Sequence, residues 1–220
     1  KRSGFEGADA FFCCGDYSNS YNTTSENLPY LKNAVIDFVP DEDRHIYVQG
    51  NHDSPIGTEG LSQSGDNDPE SGEYGVFVIN EDDYMWYNSD KTRIAQTAGK
   101  LADYLNEKLE ENYKEPIFVL SHIPLYKSLR TTNSGDAQHA NQLFYVLNQA
   151  GEKGLNIIFM AGHDHSSGYE SYLGGSAVYL AKGDHINIPQ GSTTDFKEET
   201  LNFTYMNAGY VGYYAAASGR

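Results

Sequence analysis

Cysteine is nearly absent from this chain of 220 residues: the two present, Cys13 and Cys14, are adjacent. Neighbours on a strand point to opposite faces, so a bridge between them would be strained. A disulfide framework is excluded, and with it the strongest compositional argument for secretion. Long hydrophobic runs are missing too, since none approaches the roughly eighteen residues that a membrane helix needs. Basic residues are the third shortage. Lys and Arg total 15 against 31 Asp and Glu, a net charge of −16. Such a chain repels a polyanion at long range and has no general face for gripping nucleic acid. An anionic substrate would have to be held by a local positive centre, either a few Lys or Arg side chains or a metal.

What remains is a well-populated globular composition. Hydrophobic residues make up 39% and aromatics 13%, with 18 tyrosines, which argues against disorder across the whole chain. The length suits one compact domain spanning 1–220, able to bury roughly 70% of its unfolded surface. The sequence starts at Lys1, not Met, and carries no signal-peptide pattern, so it is expected to be a trimmed piece of a longer chain. The acidic composition, rich in Tyr, Asn and Gly, suits an exported or surface protein, and cytoplasmic enzymes share it.

Short apolar runs alternate with longer amphipathic ones. Strands are expected at 8–14, 45–48, 75–79, 84–87, 117–120, 155–160, 177–181 and 201–206. Helices are expected at 28–38, 93–113 and 136–150. The middle one carries Ile94, Leu101, Ala102, Leu105 and Leu109 at helical spacing, with Pro116 just beyond its end. Strand–helix–strand alternation through residue 160 predicts an α/β fold on a mostly parallel sheet, followed by a β-rich tail packed onto the same body. Residues 54–73 are rich in Gly, Ser, Asp and Glu and have no period, so they read as a long loop. Within them, Asp66-Asn67-Asp68-Pro69-Glu70 resembles a calcium loop only in part. The glycine at the sixth position and the glutamate at the twelfth are both missing.

The informative residues sit at the carboxyl ends of four apolar runs. One run leads into Gly15-Asp16, one into Gly50-Asn51-His52-Asp53, one into His122-Ile123-Pro124, and one into Gly162-His163-Asp164-His165. Ligands of open α/β sheets bind beyond the carboxyl ends of strands, where these groups would converge. Three of the four begin with Gly, which lets a backbone bend tightly. Any one of these histidines alone is most simply a satisfied polar residue, as His45, His139 and His185 are taken to be. Four such groups at four strand ends are not a coincidence. Imidazole and oxygen donors without thiolate suit Mn, Fe, Zn or Co rather than a structural zinc knot.

In this order the motifs resemble those of the calcineurin-like metallophosphoesterases, over residues 8–165. The resemblance implies a four-layer α/β/β/α sandwich of two mixed sheets with a dinuclear metal centre at strand ends. Carried over residue by residue, Asp16 bridges two divalent or trivalent ions (Mn, Fe, Zn or Co). Asn51, His122 and His163 complete one site, and His165 serves the other. His52 is the general acid, backed by Asp53, and a small phosphomonoester or phosphodiester is hydrolysed by hydroxide held between the metals.

Two positions depart from the family pattern. The Asp-x-His that usually precedes Gly-Asp is not found in the fourteen residues before Gly15, and Asn19 stands where a carboxylate or tyrosine is usual. The first departure leaves a second reading open: a non-catalytic metal- or ligand-binding module with an incomplete dinuclear site. Lys127, Arg130 and Lys182 are candidate phosphate contacts, and Tyr84, Trp86 and Tyr87 are candidate stacking groups. Surface charge and ordinary aromatic packing are the simpler readings of both sets.

Overall fold

A computed structural model describes residues 8–17, 24–53, 59–80, 91–125, 139–163, 179–191 and 195–208. The expected strand at 84–87, Asn19, Lys127, Arg130, Trp86 and His165 lie outside them. The strands are β1 (Phe11–Cys13), β2 (His45–Tyr47), β3 (Gly65–Asp66), β4 (Gly75–Ile79), β5 (Ile117–Ser121), β6 (Ile157–Ala161), β7 (Tyr179–Leu180), β8 (His185–Pro189), β9 (Phe196–Thr200) and β10 (Thr204–Asn207). The helices are α1 (Thr24–Val35), α2 (Lys91–Glu110) and α3 (Asn141–Glu152).

Six strands form one mixed sheet in the order β3-β4-β5-β6-β10-β7. Its four central strands are parallel, with β4 on β5, β5 on β6 and β10 on β6. Antiparallel β3 and β7 close the two edges. The chain is therefore mixed α/β, as its alternation predicts. The tail differs from expectation in one respect: β10 is not packed onto the body but is a parallel member of the central sheet. The parallel pair β1–β2 and the hairpin β8–β9 are hydrogen-bonded separately.

Side chains alternate across the central strands, as the two-residue period requires. Phe77, Ile79, Ile117, Val119, Ile157, Phe159 and Tyr205 face the same core as Ile94, Leu101 and Leu105 of α2 and Leu143, Phe144 and Leu147 of α3. The intervening Val76, Val78 and Leu120 join a second cluster with Ile46 and Val48, against which Phe12, Phe118 and Met160 pack. The β1–β2 pair thus lies against the sheet face that the helices leave open. Phe12 and Phe118 meet with ring centroids 5.0 Å apart.

Helices α2 and α3 end for local reasons. At the close of α2, Asn112 adopts the left-handed conformation (φ 55°) and the Tyr113 amide reaches back to the Lys108 carbonyl, a left-handed cap. Beyond α3, Gly154 turns at φ 107° while Leu155 bonds back to Ala150. Helix α1 begins four residues ahead of the expected start at residue 28 and contains Pro29 at its sixth position, where the missing N–H forgoes one helical bond, to the Ser25 carbonyl.

The described part of the acidic segment, residues 59–73, is tied to the body of the fold. Asp68 accepts hydrogen bonds from the Val76 amide at 2.6 Å and the Tyr104 hydroxyl at 2.7 Å, and it pairs with Lys108 at 2.7 Å. This carboxylate fastens β4 to α2. Its oxygens are committed to these protein partners.

Candidate metal centre

Every central parallel strand points its carboxyl end the same way, and so do β1 and β2. The turns after β1, β2, β5 and β6 meet there. Glycine permits the meeting. A Cβ on Gly15 would fall 2.6 Å from the Gly50 nitrogen and 2.8 Å from His122 Nδ1. One on Gly162 would fall 2.5 Å from the Cys14 carbonyl oxygen, and one on Gly50 would collide with Asp16. Only Gly15 is left-handed (φ 89°). Gly50 and Gly162 are there because neighbouring turns touch their backbone, so the sequence reading of all three as bending points holds for one.

Asp16 and His163 are themselves left-handed, at φ 60° and 64°. For residues with a Cβ this costs on the order of 1–3 kcal/mol and concentrates at functional sites. Both carry candidate ligand atoms. Asp16, His122 and His163 each offer an atom within 4.8 Å of the others, and Asn51 Oδ1 lies between the rings, 2.9 Å from His122 Nε2 and 3.2 Å from His163 Nδ1. His122 Nε2 is also 3.3 Å from Asp16 Oδ2.

These atoms suit a cation. His122 Nδ1 lies 2.6 Å from the Cys14 carbonyl oxygen and must donate to it, since a carbonyl only accepts. Nε2 of a neutral ring is then a lone pair facing an amide oxygen and a carboxylate. Acceptors aimed at one another repel unless a proton or a metal ion lies among them. Burial alone would lower the His122 pKa, but the hydrogen bond and charge of Asp16 more than offset it and leave it raised. Burial would likewise raise the Asp16 carboxyl, and His122 beside it holds that group below its ordinary value. Fixing a ligating histidine through its other nitrogen is the usual way a metal ligand is oriented.

His52 sits on the turn after β2, half-buried, with its amide donating to Asp16 Oδ1 at 2.9 Å. Asp53 is 3% exposed. Its carboxylate accepts from the backbone amides of Asp16 (2.9 Å), Tyr17 (3.0 Å) and Gly50 (2.7 Å). Of the seven sequence-selected residues, Asp16, Asn51, His52, Asp53, His122 and His163 are gathered at this edge, and His165 falls outside the described residues. Lys182 is not at this edge: it donates to the Gly151 carbonyl near the C-terminal end of α3, where the parallel strands begin.

Sequence reasoning missed three contributors. Cys14 orients His122 through its carbonyl, and Tyr17 donates its hydroxyl to the Val48 carbonyl at 2.7 Å. Asn80, at the end of β4, accepts from the Gln49 amide at 2.8 Å and donates to the Ser62 carbonyl at 3.0 Å. Asn80 is an amide just past a strand end, a faint version of the signal that Asn51 gives.

Strand-end turns carrying a metal-competent cluster of one carboxylate and two imidazoles define a class of α/β protein. The family comparison agrees with it: the model for calcineurin-like phosphoesterases matches residues 2–167. The chain belongs to that family, whose members are in general metal-dependent phosphoester hydrolases. No curated protein matches it. Among the described residues, no helix is long and apolar enough to cross a membrane.

Proposed function

We propose that this chain hydrolyses a small phosphate ester, a phosphomonoester or phosphodiester, at the edge where β1, β2, β5 and β6 end. The observation that carries the proposal is the mutual approach of Asp16, Asn51, His122 and His163, whose acceptor atoms face one another around a common point. These four would hold one cation, and Asp16 with His165 would serve a second. Bound divalent ions supply a lowered pKa for water and neutralise phosphate oxygens. That is the local positive centre required by a chain of net charge −16.

The chain's own groups would do the rest. Asn51 binds as a neutral amide, which leaves a cation more electrophilic than a carboxylate would. His122 is kept in one tautomer by the Cys14 carbonyl. His52 comes directly after Asn51, and its backbone is tied to Asp16, so its ring is carried beside the reacting phosphate. There it gives a proton to the departing alkoxide as general acid. No covalent phosphoenzyme is required.

A second reading is a one-cation binding module. It keeps the cluster of Asp16, His122 and His163 as a cation site and gives His52 no chemical role. Two measurements separate the readings. Elemental analysis of protein purified without chelator is expected to give about two metals per chain, and one or fewer favours the module. His52→Ala is expected to abolish hydrolysis of p-nitrophenyl phosphate and its bis ester while metal content stays unchanged. Undiminished turnover would remove His52 from the chemistry.

A further inference from the structure

We propose that Asp53 is a positioning residue of the metal centre: its carboxylate clamps together the two turns that bear Asp16 and Asn51. The inference rests on the reading of Asp16 as a cation ligand.

Its basis is an arrangement of backbone amides. Gly15 and Asp16 are consecutive left-handed residues, and this conformation points the amides of Asp16 and Tyr17 at one carboxylate. Successive amides of this kind form a cradle for an anion. The anion filling it is the side chain of Asp53, from the turn after a different strand. Asp53 Oδ2 also takes the Gly50 amide at 2.7 Å, and the Asp53 amide returns a bond to the Gly50 carbonyl at 3.1 Å. Reciprocity completes the lock, because Asp16 Oδ1 accepts the His52 amide at 2.9 Å. Each turn thus lends a carboxylate to the backbone of the other. Tyr17 extends the clamp to α1, since Asn27 donates to the Tyr17 carbonyl at 3.0 Å.

The left-handed backbone of Asp16 directs its second oxygen, Oδ2, to within 3.3 Å of His122 Nε2. Aspartate tolerates that conformation better than most residues, yet still at a cost that a partner can offset. Asp53 does so through charged hydrogen bonds, which are stronger than neutral ones. In this role the side chain needs no contact with substrate.

The test is cation affinity, not turnover. Chelator-stripped protein is titrated with Mn²⁺ by calorimetry, well below its melting midpoint, as the unaltered chain, Asp53→Asn and Asp53→Ala. Leu147→Ala, remote from the site and buried among α3 and the sheet, serves as a control for lost stability alone. Asp53→Asn keeps the shape but turns an NH₂ toward an amide. It is expected to weaken Mn²⁺ binding about tenfold, and Asp53→Ala up to about a hundredfold, the range typical of groups that orient metal ligands. Leu147→Ala should bind as the unaltered chain does.

Binding by Asp53→Asn equal to that of the unaltered chain overturns the proposal. So does an equal loss in Leu147→Ala, which would trace the effect to stability. If neither Asp53 variant folds, the clamp serves the whole fold and the proposal also falls. If the unaltered chain takes up no Mn²⁺, the metal reading itself is wrong, an outcome distinct from the others.

Discussion

Gly162→Ala is a sharp test of how closely the strand-end turns approach. The backbone there is not left-handed, so alanine meets no conformational penalty, and only space matters. The new Cβ would sit 2.5 Å from the Cys14 carbonyl oxygen and 3.1 Å from His122 Nδ1. An ordinary carbon–oxygen contact begins near 3.3 Å, so the turns must part by about 0.8 Å. If the Cys14 carbonyl retreats straight from the new carbon, its 2.6 Å bond from His122 lengthens to about 2.9 Å, still within hydrogen-bonding range. Crowding of this kind costs about 1–3 kcal/mol. For a chain of this size, that loss lowers the melting midpoint by about 2–12 °C. Mn²⁺ affinity should fall as well, because the push falls on the carbonyl and the ring whose bond aims His122. Gly99→Ala is the matched control. Gly99 is exposed on α2 with nothing within 4 Å of the added carbon, so the change should stabilise the chain by about 0.8–1 kcal/mol. Scanning calorimetry and metal titration read both variants. A Gly162→Ala midpoint within about 2 °C of the unaltered chain, with unchanged affinity, would refute the close approach.

Asp68→Ala removes the Val76 amide bond, the Tyr104 hydroxyl bond and the Lys108 ion pair together, and should cost about 3 kcal/mol in denaturant melts. Partial burial pulls the Lys108 ammonium down, but Asp68 more than offsets this and leaves it above the ordinary lysine value. A raised lysine contributes fully below its unfolded pKa of about 10.4 and is lost only as pH rises past the folded value. The penalty should therefore be flat across neutral pH, and a penalty that shrinks between about pH 6 and 9 would contradict the ion pair. The two thiols should resist alkylation near pH 8 in the native protein, because burial pushes Cys13 up to about 11 and Cys14 higher still. Unfolding should release both, as counted by mass spectrometry, and rapid native labelling of Cys14 would contradict its burial.

The sequence was most legible where one physical signal acted alone. Runs such as Gly75–Ile79 and Ile117–Ser121 are apolar on both faces because parallel strands are covered on both sides, and their limits are nearly those of the observed strands. The hairpin β8–β9 passed unnoticed for opposite reasons in its two halves. Ile186 and Ile188 do alternate with exposed residues in β8, a readable period of two. Strand β9, Phe-Lys-Glu-Glu-Thr, is held by its partner and shows little apolar pattern of its own. Gly65–Asp66 carried no signal at all, because its pairing to β4 is made by backbone groups. The same divide runs through the site. Asp16, Asn51, His52, His122 and His163 stand out as side chains with ligand chemistry. The Cys14 carbonyl and the amides gathered by Asp53 do not, since main-chain atoms are the same in every residue.

Strand β10 has a consequence for how the chain comes off the ribosome. Its neighbour β6 ends at Ala161, and β10 ends at Asn207, 46 residues later. At synthesis rates of roughly 5–20 residues per second, β6 waits about 2–9 s for that partner. Until then one side of a largely apolar strand presents unpaired amides and carbonyls, the exposure that invites wrong pairings between chains. The strand that borders β6 also lies 37 residues past the last position matched by the family model, residue 167. A fragment trimmed to that match would keep every candidate ligand, His165 included, and leave β6 permanently at an open edge. Such a fragment is expected to aggregate where the 220-residue chain does not.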